Sequence, residues 1–179
     1  MQLANHLTRA NTGFLLAKAI QRWNDLLEGG FRRNGYGFVR PAYGAILIPL
    51  FEEDGLRIGE VARRSKLSKQ TMTTMVKLLQ RDGLIKKIAD QNDARAWRLF
   101  LTVKAKRFRP IAEEVLEEIE MQAKQVASQE DYAKVRGWLR KFADIYELLQ
   151  NPGLKSEKRS DHEQPYSHPQ PSCVKRKSI

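Results

Sequence analysis

A single cysteine, Cys173, stands among the 179 residues, so the chain cannot build an internal disulfide framework. Histidine is nearly as scarce. His6, His162 and His168 are the only three, and no two have the spacing of a helical zinc site. His162, His168 and Cys173 share a polar, proline-bearing tail whose composition explains them without a metal. Glycine forms no phosphate-cradling loop, for Asn34-Gly35-Tyr36-Gly37 is too weak a match. No catalytic pair can be picked out, so we expect no enzyme, no metal and no cofactor. Long apolar runs are missing too. The longest, Ala42 to Phe51, is about half of the ~20 residues a membrane span requires. Met1 to Gly30 lacks a basic segment followed by a continuous apolar run, the pattern of a secretory signal. The expectation is a cytoplasmic protein with no membrane contact.

What remains is ordinary globular material, 41% hydrophobic and 30% charged, of a length that suits one domain. The formal net charge is +11, and its location is the informative part. Residues 56–108 hold fourteen basic and four acidic side chains, so nearly the whole excess lies in that segment. Such concentration points to a polyanionic partner. A merely solvated basic face is the plainer alternative.

Hydrophobic periodicity outlines the elements. Leu7 to Leu27 carries Phe14, Leu16, Ala19, Ile20, Trp23, Leu26 and Leu27 at three- and four-residue steps, and predicts a helix ended by Gly29-Gly30. Pro41 is placed to open a second helix, with Pro49 expected to kink or stop it. Residues 57–85 read as two short helices joined by a tight turn, the second capped by Ser68 and broken by Asp82-Gly83. Two strands follow, about Leu84–Ile88 and Trp97–Leu101, around the turn Asp90-Gln91-Asn92-Asp93. Pro110 is expected to open a long helix, and Ser128 with Asp131 resembles a capping box before the last one. Asn151-Pro152-Gly153 should end that helix. The tail, residues 151–179, holds four of the seven prolines and should be disordered.

The second short helix has two faces. Met72, Met75, Val76 and Leu79 form an apolar underside, whereas Lys69, Gln70, Thr73, Thr74 and Lys77 face the other way. Glutamine can pair bidentately with adenine, threonine can meet a base edge or a thymine methyl, and lysine can reach guanine or phosphate. No acidic residue lies between Lys66 and Arg81, as a surface facing phosphates requires. At the hairpin tip, Arg95 suits a narrow minor groove, with Asp93 placed to hold its guanidinium by paired hydrogen bonds. Arg63, Arg64, Lys86 and Lys87 are expected to neutralise phosphates.

Residues 58–105 resemble the winged-helix core of the MarR family of bacterial transcription regulators. The matching pieces are Glu60-Val61-Ala62, Lys66-Leu67-Ser68, Asp82-Gly83-Leu84-Ile85, Asp90 to Ala96, and Leu101-Thr102. The resemblance implies a mainly α fold with a small β-hairpin wing, a winged helix-turn-helix core flanked by long dimerisation helices. On that reading residues 1–55 lead in and help dimerise, 56–108 form the DNA-binding core, 109–150 dimerise, and 151–179 form a basic tail. It implies a homodimer on a roughly palindromic double-stranded DNA operator, acting as a repressor released by a small, often aromatic effector. Ser68, Lys69, Gln70, Thr71, Thr73, Thr74 and Lys77 would then face the major groove, with Asp93 and Arg95 at the wing tip. Trp23, Arg40 and Tyr43 are effector candidates by position, against their plainer reading as packing or surface residues. Three positions depart from the family pattern. Lys66 and Ala105 stand where glycine is usual, and Ala94 where arginine is frequent. If Lys66 is left-handed, it costs about 1 kcal/mol. The alternative function is a winged-helix module that docks protein or RNA without operator binding.

Overall fold

The computed structural model describes residues 8–93 and 95–145. It divides into two compact units, Met1–Val126 and Ala127–Ile179. The first opens with α1 (Thr12–Arg33), a 3-10 turn (Pro41–Tyr43) and α2 (Gly44–Glu52). Then come β1 (Leu56–Arg57), α3 (Ile58–Arg64), α4 (Lys69–Arg81), β2 (Ile85–Ala89), β3 (Trp97–Leu101) and α5 (Val103–Val126). The second unit contributes α6 (Gln129–Ala143). Among the described residues, no helix is long and apolar enough to cross a membrane.

The core of the first unit forms where the apolar faces meet. Ile46, Leu47 and Leu50 of α2 are buried with Val61 of α3 and with Met72, Val76 and Leu79 of α4. The α4 set recurs at four- and three-residue steps, so one stripe of that helix is sealed and the other is left to solvent. Leu56, Leu84, Ile85 and Leu99 close the core from the sheet.

Two helices end as expected and share one device. After α4, Gly83 takes a left-handed backbone (φ +71°), and the amides of Gly83 and Leu84 donate to the carbonyls of Gln80 and Leu79. After α3, Lys66 (φ +51°) and Leu67 donate in the same pattern to Arg63 and Ala62. Lys66 therefore does occupy the left-handed closing position of a Schellman motif. Ser68 caps α4 as read, its Oγ accepting from the Thr71 amide at 3.2 Å. In the second unit Ser128 caps α6, accepting from Asp131 N at 3.1 Å.

Three expectations need correction. Gly29-Gly30 does not end α1, which runs on to Arg33 and closes at Asn34, with Gly35 left-handed at φ +81°. Gly30 instead packs tightly against α5: a Cβ there would fall 2.4 Å from Val115 Cγ1. Phe31 and Phe108 meet edge-on beside it, with ring centroids 4.9 Å apart. Pro49 is buried inside α2, which continues to Glu52. Pro110 lies inside α5 and does not open it. The start is set earlier by Thr102, whose Oγ1 accepts from Ala105 N at 3.2 Å and whose carbonyl accepts from Lys106 N at 3.0 Å. The amide that Pro110 lacks would have served the carbonyl of Lys106, an exposed residue where water can take its place. The hairpin of β2 and β3 stands as read, and β1 extends it to a three-stranded antiparallel sheet in the order β1-β3-β2, since Leu56 and Arg57 pair with Leu99 and Arg98. The expected stop at Asn151-Pro152-Gly153, the disordered tail and Ala94 lie outside the described residues.

Two substitutions test this architecture by urea unfolding of the full chain. Gly30→Ala should cost about 1–3 kcal/mol, because the added methyl overpacks the α1–α5 contact; an unchanged midpoint would mean that the contact has slack. Lys66→Gly should stabilise by up to about 1 kcal/mol by relieving the left-handed lysine.

Candidate nucleic-acid interface

On α4 the structure separates residues that hold the helix from residues that face out. Ser68 and Thr71 are bonded to each other, with hydroxyl oxygens 2.8 Å apart, and together they close the first turn. Both are therefore committed to the cap. Lys69, Gln70, Thr73, Thr74 and Lys77 are all exposed. Thr73 Oγ1 donates to the Lys69 carbonyl at 2.8 Å, which leaves its methyl and an acceptor lone pair outward.

The two arginines of α3 are less free than their charge suggests. Arg63 Nε and Nη2 donate to Glu60 at 3.0 and 2.7 Å. Arg64 Nε donates to the same carboxylate at 2.7 Å, and its Nη2 to Glu53 at 2.6 Å. Hydrogen bonds from Arg63 and Arg64, in that order, pull the Glu60 carboxyl down to about 2. Much of the positive charge read on α3 is thus met within the protein, although Arg63 keeps 73% of its side chain exposed.

The wing departs from expectation in its chemistry. Asp93 does not hold the Arg95 guanidinium; its Oδ1 accepts from the Arg95 backbone amide at 3.0 Å. The carboxylate that grips guanidinium groups is Asp90. Arg57 and Arg98 lie directly opposite each other on β1 and β3, a like-charge pair that would repel. Asp90 Oδ2 accepts from Arg57 Nε at 2.9 Å and from Arg98 Nε at 2.6 Å, while Oδ1 accepts from Asn92 N at 2.9 Å. Its side chain is only 1% exposed, and the Arg57 bond first, then the Asn92 amide, holds its carboxyl far below the ordinary range. Sequence reading missed Asp90 and Arg57 because their pairing is set by strand register. On β2, Lys86 and Lys87 are exposed, and Lys87 Nζ lies 4.2 Å over the Trp97 ring.

The effector candidates separate. Tyr43 is fully buried, its hydroxyl donating to Asp82 Oδ2 at 2.5 Å. Burial, then the bond to Asp82, raises its pKa. Tyr43 is a core pin between the 3-10 turn and the end of α4, not the wall of an open cavity. Asp82 is held below the ordinary range, chiefly by Arg81. Arg40 is exposed, with its charge felt by both Tyr43 and Asp82, and Trp23 is half-buried against the core. Among the described residues, no cluster of three or more His, Cys, Asp or Glu could hold a metal ion.

A helix pair closed by a tight turn, an outward-facing second helix and a three-stranded wing define a winged helix-turn-helix protein. Residues 42–97 match the MarR family. The HTH-type transcriptional regulator TtmR of Methylorubrum extorquens (strain PA1) is 34% identical over 61 residues, 34% of this chain and 31% of that protein. The match thus spans less than a third of that relative's length. A probable transcriptional regulator from Pseudomonas aeruginosa is 26% identical with a TM-score of 0.66, over 74% of this chain and 97% of that one. FabT from Streptococcus pneumoniae, solved in complex with DNA, shares the fold at 16% identity and a TM-score of 0.64, over 79% and 99% of the two chains.

The paired carboxylates make the fold acid-sensitive in a stated direction. Glu60 and Asp90 have folded pKa values below their unfolded ones, so their stabilisation is complete above about pH 4.5 and is lost as pH falls toward 2. Thermal midpoints measured from pH 6 to 2.5 should fall along that limb. Asp90→Asn should lower the midpoint at pH 6 and flatten the limb. An equally steep limb in Asp90→Asn would show that other groups carry it.

Proposed function

We propose that this chain is a transcription regulator that binds double-stranded DNA sequence-specifically as a homodimer. In this reading α4 enters the major groove and the wing lies along the minor groove of each half of a roughly palindromic operator. One observation carries it: α4 presents Gln70, Thr73, Thr74 and Lys77 outward from a sealed apolar underside, with no carboxylate among them. Side chains of that kind on one exposed stripe are what base edges require. The known DNA complex of a protein with the same fold supports the reading.

The homodimer is supported by apolar surface that the single chain leaves uncovered. On α1, Phe14, Leu15, Ile20 and Leu26 are each about half exposed. On α6, taken by itself, no residue is buried, and Val135, Trp138, Leu139 and Phe142 are exposed. Faces of this size on a soluble regulator call for a partner, and a second copy matches two half-sites by two-fold symmetry. Residues 1–55 and 109–150 would form the dimer and 56–108 would read DNA, with the tail 151–179 adding basic charge. Repression relieved by a small effector follows the MarR match of residues 42–97.

Selection from a random duplex library at physiological salt tests the proposal. The expected result is a two-fold symmetric consensus. Gln70→Ala should then relax one base in each half-site, at about 1–3 kcal/mol of discrimination. Uniform weakening across sequences would remove the base-reading role from Gln70. Equal affinity for every duplex would overturn operator binding and favour a module that docks protein or RNA.

A further inference from the structure

We propose that Arg57 is a ligand for the DNA backbone: aimed by the buried carboxylate of Asp90, it grips a phosphate in a groove beside the hairpin turn of the wing. The inference rests on the DNA-binding reading above and adds a residue that neither the recognition helix nor the wing tip supplies.

The groove, about 510 Å³, is open to solvent and lined by Arg57, Ile58, Glu60, Arg95 and Trp97 among others. Its charges are unevenly occupied. Glu60 already accepts from Arg63 and Arg64, so it is a poor competitor for a further cation. Arg98, the other arginine on Asp90, also donates Nη1 to the Gly55 carbonyl at 2.9 Å. Arg57 touches Asp90 through Nε alone, at 2.9 Å, and keeps 47% of its side chain exposed while that of Asp90 is 1% exposed. Among the described residues no partner is seen for its two Nη groups, and Asp93 reaches it only as a field, its Oδ1 accepting from the Arg95 amide. Arg95 is exposed on the same groove.

A guanidinium fixed at Nε offers Nη1 and Nη2 as a preset fork, which suits the oxygens of one phosphate. Because the anchor is a buried carboxylate, little side-chain freedom remains to be lost on binding. Trp97, 42% exposed in the same groove, gives a flat apolar surface for the adjoining deoxyribose. The groove lies beside the hairpin turn and not on α4, so the contact sets the position of the protein without reading sequence.

The full chain is titrated with two duplexes, the one enriched by library selection and a scrambled one, over a range of salt concentrations. Arg57→Ala should weaken both by about tenfold and lower the salt slope by about one, with the selected consensus unchanged. Arg57→Lys keeps the charge but cannot hold Asp90 and offer a fork together, so it should remain weaker than wild type at equal thermal stability. A wild-type protein that selects its duplex while Arg57→Ala keeps the same slope and affinity overturns this proposal alone. Wild-type protein that prefers no duplex overturns the parent reading as well. A chain with Trp23→Phe and Trp138→Phe, leaving Trp97 as the reporter, supplies a check that leaves Arg57 intact. Its emission should be quenched and shielded from acrylamide on adding the selected duplex, and an unchanged signal under saturating DNA overturns the groove.

Discussion

The carboxylate of Asp90 is the constraint on which the winged helix turns. Two arginines face each other across β1 and β3, and a two-residue strand has few hydrogen bonds with which to resist their repulsion. A buried acid between them converts repulsion into a bridge that joins the lead into α3, the returning strand and the turn after β2. Every oxygen of that acid is occupied, so its burial leaves no unsatisfied charge. Removing it would leave two cations facing each other with nothing between. Gly55 completes the joint. It is left-handed at φ +81°, and a Cβ there would lie 2.6 Å from the Phe100 ring, so only glycine lets the chain pass from α2 into β1.

Charge counting and charge presentation differ in this protein. Residues 56–108 carry a large basic excess, yet Arg63, Arg64, Arg57, Arg98 and Arg81 all have carboxylate partners within hydrogen-bonding distance. Lys69, Lys77, Lys86 and Arg95 are exposed outside these pairs, and Arg57 and Arg63 keep outward ends. Lys69 and Lys77 share the exposed face of α4 with the neutral Gln70, Thr73 and Thr74.

Features governed by local rules were legible in the sequence. The α4 stripe, the Ser68 and Ser128 caps, the stop at Asp82-Gly83 and the hairpin around Asp90–Asp93 all depend on residues within a few positions of one another. The errors arose where a distant partner decides. Gly30 has the local character of a helix stop, but Val115 on α5 makes it a contact point. Pro110 has the character of a helix start, but Thr102 caps that helix earlier through its own hydroxyl. Leu56-Arg57 is too short to carry a strand pattern and becomes one only beside β3. Tyr43 stands where an effector could be imagined, and its role in the core follows from a bond to Asp82, far along the chain. At the candidate site, the outward residues of α4 were visible by periodicity, whereas the Asp90 clamp depends on register.

The bond between Tyr43 and Asp82 also sets the mechanics of α4. The helix is pinned at its C-terminal end, where Asp82 meets Tyr43, Arg81 and, through its carbonyl, Lys104. Its other end is held by the Ser68 cap and by Met72, buried in the core. Thirteen residues at 1.5 Å each make a lever about 20 Å long with its fulcrum at Asp82. A tilt of about 5° at the fulcrum swings the first turn, where Gln70 sits, by about 2 Å, more than a hydrogen bond to a base edge tolerates. A shift of the Tyr43 phenol that tilted α4 about Asp82 would be enlarged at the opposite end of the helix.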